Sequence, residues 1–135
     1  VDDYINLGNP ASMNIDGEIT IEAWVNFQAA DGIRNIVAHG YTRSPDAEVS
    51  LRVQDGRYEV GSWEGTSHKA WYNIPAKDLG RWVHLAGLYD GTAWRLFRNG
   101  VEVASTAEAT GAVGATLGWP KNTRAQCWLQ TGQNG

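Results

Sequence analysis

Cysteine is almost absent from the sequence. Cys127 is the single cysteine in a chain of 135 residues, so no disulfide bond can form within the chain and the fold must be stabilised by packing alone. We expect Cys127 to be a small buried hydrophobic residue. A chain of this length buries a sizeable core without cross-links, and no linker or low-complexity segment divides it. We therefore predict one domain spanning residues 1–135.

Long apolar runs and clustered positive charge are also missing. No apolar run approaches the ~20 residues of a membrane-spanning helix, and no secretion leader is recognisable. The 11 Lys and Arg residues are scattered through a chain whose formal net charge is −4. We therefore expect no membrane span and no nucleic-acid partner, because a nucleic-acid-binding face gathers its cations. Because the chain begins with Val1 rather than Met, we expect a processed protein or an excised domain.

What the sequence does have is a clear two-residue period. Between Glu18 and Phe27 the odd positions after Glu18 are apolar and the even positions are mostly polar, and residues 48–53 alternate in the same way. Side chains alternate across a β-strand, so each segment predicts a strand with one buried face. Helical periodicity is poor, and only residues 76–79 favour a single helical turn.

Turn signals separate these segments at short intervals. The chain holds 16 glycines and only 4 prolines. Asp-Gly and Asn-Gly pairs supply the positive φ angles of two-residue hairpin turns. Three such pairs lie between alternating segments: Asp55-Gly56, Asp90-Gly91 and Asn99-Gly100. Short strands joined by frequent turns predict an all-β fold of antiparallel strands, as a sandwich or a barrel.

Three longer motifs then occur in a recognisable order. The sequence DYINLG occupies residues 3–8, ITIEAWV occupies residues 19–25, and GRWVHLAGLYDG at 80–91 runs on into WRLFRNGV at 94–101. This series resembles the bacterial laminin-G-like domains of the concanavalin A-like lectin/glucanase superfamily, over residues 2–119. The resemblance implies an all-β, antiparallel two-sheet jelly-roll sandwich. It also implies a secreted or extracellular domain that binds a glycan or a protein.

The end of the chain departs from that family. Its members usually close with a strand that carries an Asp-Glu pair, and nothing similar follows Trp119. Residues 126–130 form either a divergent last strand or an altered end. The resemblance implies a calcium site built partly from that segment, but the segment here lacks the Asp-Glu pair. We therefore expect no cofactor and leave calcium open. Hard oxygen ligands are present but do not converge in the sequence: Asp2, Asp3, Asn6, Asp16, Asp31 and Asp90.

Signatures of catalysis are missing too. The glucanase branch of the superfamily carries paired carboxylates in an E-x-D-x-x-E pattern. The nearest pairs here have other spacings: Glu18 and Glu22, Asp46 and Glu48, Glu59 and Glu64. The three histidines have no metal-ligand spacing, and no G-x-S-x-G nucleophile turn occurs. We therefore expect no enzyme activity, and we read His84 of the family motif as a structural residue.

Aromatic residues are the stronger lead, since seven tryptophans is a high count for 135 residues. The alternation that turns Tyr58 and Val60 inward turns Trp63 outward. An extra residue at Gly61 would reverse this, because glycine within a strand often marks a bulge. Sugars pack their C–H faces on rings and offer hydroxyls to nearby polar groups. The predicted ligand-facing patch comprises Trp63, Trp71, Tyr72, Arg52 and Glu59.

Two interpretations of these rings stay open at this point. They either face a ligand or plug the edge of the sandwich. The aromatic residues of the family motifs are expected to serve packing: Trp24, Trp82, Tyr89, Trp94 and Phe97.

The leading functional hypothesis is a non-catalytic carbohydrate-binding or adhesion module. A protein-interaction or structural domain is the first alternative, and a polysaccharide hydrolase is the second. The ligand, the oligomeric state and the parent protein stay undetermined.

Overall fold

The computed structural model describes residues 4–7, 10–39, 49–112 and 128–130. Within these ranges the chain forms strands and two single-turn 3-10 helices, with no α-helix. The strands are β1 (Tyr4–Asn6), β2 (Ile19–Val25), β3 (Ile33–His39), β4 (Val49–Gln54), β5 (Arg57–Trp63), β6 (Ser67–Asn73), β7 (Val83–Tyr89), β8 (Ala93–Arg98), β9 (Val101–Ala107) and β10 (Trp128–Gln130). The 3-10 turns are Ala11–Met13 and Ala76–Asp78. The second turn lies where the sequence favoured one.

Two antiparallel sheets make up the fold. One has six strands in the order β1-β10-β3-β4-β5-β6, and the other has four in the order β2-β7-β8-β9. The predicted antiparallel two-sheet sandwich is therefore confirmed. Of the C-terminal segment, residues 128–130 form a strand that pairs with β1 on one side and β3 on the other. Cys127 lies outside the described residues. No helix among the described residues is long and apolar enough to cross a membrane.

Two of the three predicted hairpin turns have the expected geometry. Asp55-Gly56 and Asn99-Gly100 adopt positive φ at both residues, as a type I′ turn requires. The connection between β7 and β8 is different, because it spans residues 90–92 and only its glycine has positive φ. There the Asp90 carboxylate accepts hydrogen bonds from Thr92 and Ala93. The prediction of a two-residue turn at this point was wrong.

The hydrophobic core lies between the two sheets. Tyr58 and Val60 of β5 are fully buried there, as are Leu85 of β7 and Trp94 of β8. The sheets approach closely at Gly87 of β7, where an added Cβ would lie 2.2 Å from Val60 Cγ2. Real Cβ atoms do not come this near to another carbon, so this position has no room for a side chain.

Two aromatic residues of the family motifs do not serve the core. Tyr89 and Trp94 are buried as predicted, and Phe97 is partly buried. Trp24 and Trp82, however, are 65% and 66% exposed, so their assignment to packing was wrong. The physical reason is alternation: Val25 and Val83 beside them face the core, which turns both indoles toward solvent.

Candidate functional site

Four of the five residues of the predicted patch lie on the face of the six-stranded sheet that points away from the core. The register between β5 and its two neighbours runs through Gly61 without a shift, so no bulge reverses the alternation. Trp63 therefore shares a face with Glu59, as predicted, and is partly exposed. The same register sets Arg52 of β4 and Trp71 of β6 on either side of Glu59.

At the centre of this face lies a buried carboxylate bound by two cations. Arg52 donates hydrogen bonds of 3.2 Å from Nε and Nη2 to Glu59 Oε2. Lys69 Nζ lies 3.1 Å from the same oxygen and 3.3 Å from Oε1. The Glu59 side chain is only 4% exposed, and a charge that is so poorly hydrated requires such partners. The pairing fixes these side chains in position.

Around this ion cluster the surface forms a small cavity of about 110 Å³. Trp63 and Ser67 contribute to its wall, together with Arg52, Glu59 and Lys69. Gln54 also lines it, and the buried Oε1 of Gln54 has no hydrogen-bond partner in the part of the chain that the structure describes. Typical small-molecule pockets measure roughly 300–1,000 Å³, so this cavity suits one end of a ligand rather than a whole one.

Gly61 lines the cavity at a position that has no room for a side chain. A Cβ at this position would lie 2.1 Å from the carbonyl oxygen of His68 and 2.6 Å from the Cβ of Lys69. The nearest of these is a backbone atom, which cannot move aside as the end of a flexible side chain can. The absence of a side chain at 61 is therefore a requirement of the β5–β6 pairing, and it leaves space between Glu59 and Trp63.

The structure brings four of the five predicted residues to one face and separates the fifth. Trp71 is 44% exposed and carries the Arg57 guanidinium 4.2 Å above its ring centroid, which is a cation–π contact. Tyr72 instead packs against the core cluster. The expectation that Tyr72 neighbours Trp63 was wrong, because consecutive residues of one strand point to opposite faces.

Sequence reasoning missed Lys69 and Gln54. Lys69 shares the parity of Trp71 on β6, and Gln54 shares that of Arg52 on β4, so alternation alone would have grouped each with its strand neighbour. What the sequence could not supply is the register that sets Lys69 opposite Gly61 and beside Glu59. Neither residue belongs to the family motifs, so the resemblance did not point to them.

The described residues contain no group of three His, Cys, Asp or Glu side chains arranged to hold a metal ion. Of the candidate calcium ligands, Asp31 pairs with Arg34, and Asp90 pairs with Arg95 at 2.5 Å. Asp2 and Asp3 lie outside the described residues, as do Asp46 and Glu48 of one carboxylate pair. His84 packs its ring against Trp24, with a centroid separation of 5.2 Å.

The fold and this face define a jelly-roll sandwich with a polar, partly aromatic cavity on one sheet. A family model described as the concanavalin A-like lectin/glucanases superfamily, of the laminin G type, matches residues 1–131. The chain belongs to this family, which confirms the resemblance seen in the motifs. A bacterial origin stays a prediction.

Solved structures agree with this fold. Domains LG4-5 of the mouse laminin alpha1 chain superpose with a TM-score of 0.64 at 16% identity, covering 93% of this chain and 31% of that one. The Caenorhabditis elegans galectin LEC-6 gives a TM-score of 0.52 at 15% identity, covering 97% and 83%. Among curated proteins, pappalysin-1 of Mus musculus is 47% identical over 38 residues, which are 28% of this chain and 2% of that protein. The chain thus spans a small fraction of that relative.

Proposed function

We propose that this domain is a non-catalytic glycan-binding module that holds its ligand at the cavity of the six-stranded sheet. The observation that carries the proposal is the composition of the cavity wall. An indole ring, Trp63, stands beside the ion cluster of Arg52, Glu59 and Lys69. Sugar recognition combines these two elements, an aromatic surface for C–H faces and fixed polar groups for hydroxyls.

A residue that lines the cavity also carries an acceptor that lacks a donor. Gln54 Oε1 is buried without a hydrogen-bond partner among the described residues, and leaving such a group unsatisfied costs about 1–3 kcal/mol. A sugar hydroxyl donating to this oxygen would recover that free energy on binding. Because the cavity measures only about 110 Å³, we expect it to accept a single sugar residue or a chain end.

A protein-interaction domain of the same fold is the alternative class. The superfamily membership and the similar laminin and galectin structures support a binding role of either kind. The extracellular location that the resemblance implies belongs to the same proposal. Catalysis is less well supported, since hydrolysis of a glycosidic bond usually needs two carboxyl groups. Glu59 is the single carboxylate among the described residues that line the cavity, and it is bound by two cations.

A glycan array followed by calorimetry on two variants tests the proposal. We expect Trp63→Ala and Lys69→Gln each to weaken binding of any array hit, and we expect Trp63→Ala to keep a melting temperature close to that of the wild type. Val101→Ala is the control, because Val101 is 65% exposed on β9, in the other sheet. An array without hits at millimolar ligand would favour the protein-interaction class. Turnover of a polysaccharide that is lost in Glu59→Gln would replace the proposal with catalysis.

A further inference from the structure

A second aromatic surface lies on the opposite side of the sandwich, on the outer face of the four-stranded sheet. Trp24 of β2 is 65% exposed, and Trp82, one residue before β7, is 66% exposed. In the pairing of β2 with β7, Trp24 lies opposite His84. Trp82 precedes His84 by two residues, so it is the diagonal neighbour of Trp24. Diagonal neighbours in an antiparallel pair lie about 7–8 Å apart. We call Trp24, Trp82, His84 and Glu22 the indole face.

The Glu22 carboxylate gives the indole face a hydrogen-bond acceptor. Glu22 Oε2 lies 3.4 Å from His84 Nε2, and the Glu22 side chain is 68% exposed, so most of its carboxylate surface is open to solvent. An exposed carboxylate therefore shares the face of the two rings and can accept hydrogen bonds from a ligand.

We propose that the indole face is a second glycan-binding surface, which takes a neutral saccharide chain. A sugar chain offers C–H faces that stack on indoles and hydroxyl donors for the exposed Glu22 carboxylate. The charge selects a neutral chain rather than an acidic one, because the exposed Glu22 carboxylate and the electron-rich ring faces both repel anions.

The form of the surface favours a chain over a single sugar. The cavity of the six-stranded sheet encloses one end of a ligand, whereas the indole face presents two rings that each expose about two-thirds of their surface. Adjacent rings on adjacent strands can stack on successive sugar residues. The indole face belongs to a different sheet from the cavity, so this inference stands independently of the proposed function.

Affinity electrophoresis in gels that contain a neutral β-glucan, a neutral xylan or an acidic polygalacturonate tests the inference. We expect the neutral polymers to retard the wild-type domain. Trp24→Ala/Trp82→Ala should lose roughly tenfold or more in affinity for them, as judged from aromatic stacking in other systems. Its melting temperature should match the wild type, since both rings are exposed. Glu22→Gln should raise the affinity for polygalacturonate by removing the repulsive charge.

Three results would overturn the inference. The first is neutral-polymer binding that survives Trp24→Ala/Trp82→Ala but is lost in Trp63→Ala, which would leave the cavity as the glycan site. The second is that the wild-type domain does not bind the neutral polymers, or that the double variant binds them as tightly as the wild type does. The third is a wild-type domain that self-associates in sedimentation while the double variant is monomeric, because the face would then be a protein interface. If Trp63→Ala has no effect while the double variant loses binding, the proposed function fails and this inference holds.

Discussion

The phenol of Tyr58 donates a hydrogen bond of 2.9 Å to Oδ2 of Asp78, between strand β5 and the 3-10 turn before β7. Arg98 of β8 donates to both oxygens of the same carboxylate, with Nε at 2.7 Å from Oδ2. Asp78 is 1% exposed, and its two partners belong to different sheets. A single buried carboxylate therefore connects the two halves of the sandwich.

Asp78→Asn should destabilise the domain strongly. The substitution leaves the Arg98 guanidinium partly buried without its counter-charge, and breaking a buried pair in this way costs about 3–5 kcal/mol. Urea denaturation measures the change in the free energy of unfolding. Glu102→Gln is the control, because Glu102 forms an exposed pair with Arg95 and such pairs contribute little. Equal losses in both variants would contradict a special role for Asp78.

The same cluster should set both pH limits of stability. The hydrogen bond from Arg98 lowers the pKa of Asp78 below its ordinary value of 3.8. Asp78 therefore contributes its full stability above pH 3.8, and this contribution is lost as the pH falls through the lower folded-state pKa. Burial, followed by the hydrogen bond to Asp78, raises the pKa of Tyr58 above its ordinary value of 10.0. The Tyr58 contribution is full below pH 10.0 and is lost as the pH rises beyond it.

Melting temperatures measured across the pH range check both limits. Relative to the wild type, Asp78→Asn should show a shallower decline at acid pH, and Tyr58→Phe should show a shallower decline at alkaline pH. Asp78→Asn should keep the decline at alkaline pH, and Tyr58→Phe should keep the decline at acid pH. If the melting temperature of Asp78→Asn falls as steeply at acid pH as that of the wild type, the acid sensitivity belongs to other carboxyl groups.

Gly87→Ala should destabilise the domain by overpacking the space between the sheets. The new Cβ would lie 2.2 Å from Val60 Cγ2, and overpacking of this kind costs about 1–3 kcal/mol. Val60→Ala removes the two clashing methyl groups and leaves a cavity of its own, although the Cβ of residue 60, 2.6 Å from the new Cβ, still crowds it. In the double variant the new methyl group fills part of that space, so the two losses should not add. Strict additivity in a double-mutant cycle would show that the two positions do not contact.

Trp63→Ala should cost far less stability than Trp94→Ala. Trp63 is partly exposed at the cavity, whereas Trp94 is fully buried and its Nε1 donates to the carbonyl of Thr110 at 3.0 Å. Truncation of a core tryptophan costs roughly 3–5 kcal/mol. Thermal melts of the two variants decide the matter. A comparable drop in both would place Trp63 in the packing of the domain and end its assignment as a ligand residue.

The sequence predicted the sandwich well because alternation and turn chemistry are local. Tyr58 and Val60 face the core as expected, and two glycine-containing turns have the predicted geometry. Alternation says which residues of one strand share a face, but it does not say whether that face is covered. Trp24 was assigned to packing because it belongs to a family motif, although it is exposed. Tyr72 was grouped with Trp71 by proximity along the chain, although the pleat separates them.

The candidate site was only partly predictable for a related reason. Residues of β5 could be assigned to a face from the sequence of β5 alone. The partners of Glu59 come from β4 and β6, so they depend on register, which arises from pairing across the sheet. Alternation assigns Arg52 to the outer face of β4 and Lys69 to the face of Trp71 on β6, whereas the contact of each with Glu59 depends on the pairing of these strands with β5.

The different surroundings of the tryptophans have an optical consequence. Trp94 is sealed in the core, whereas Trp24 and Trp82 are largely in contact with water. Indole fluorescence shifts to longer wavelength in polar surroundings, so the emission of the folded domain should combine a blue component from Trp94 with a red component from the exposed rings. A neutral quencher in solution should remove the red component first. The loss of the blue component should follow unfolding, while a saccharide stacked on the indole face should shield the red component.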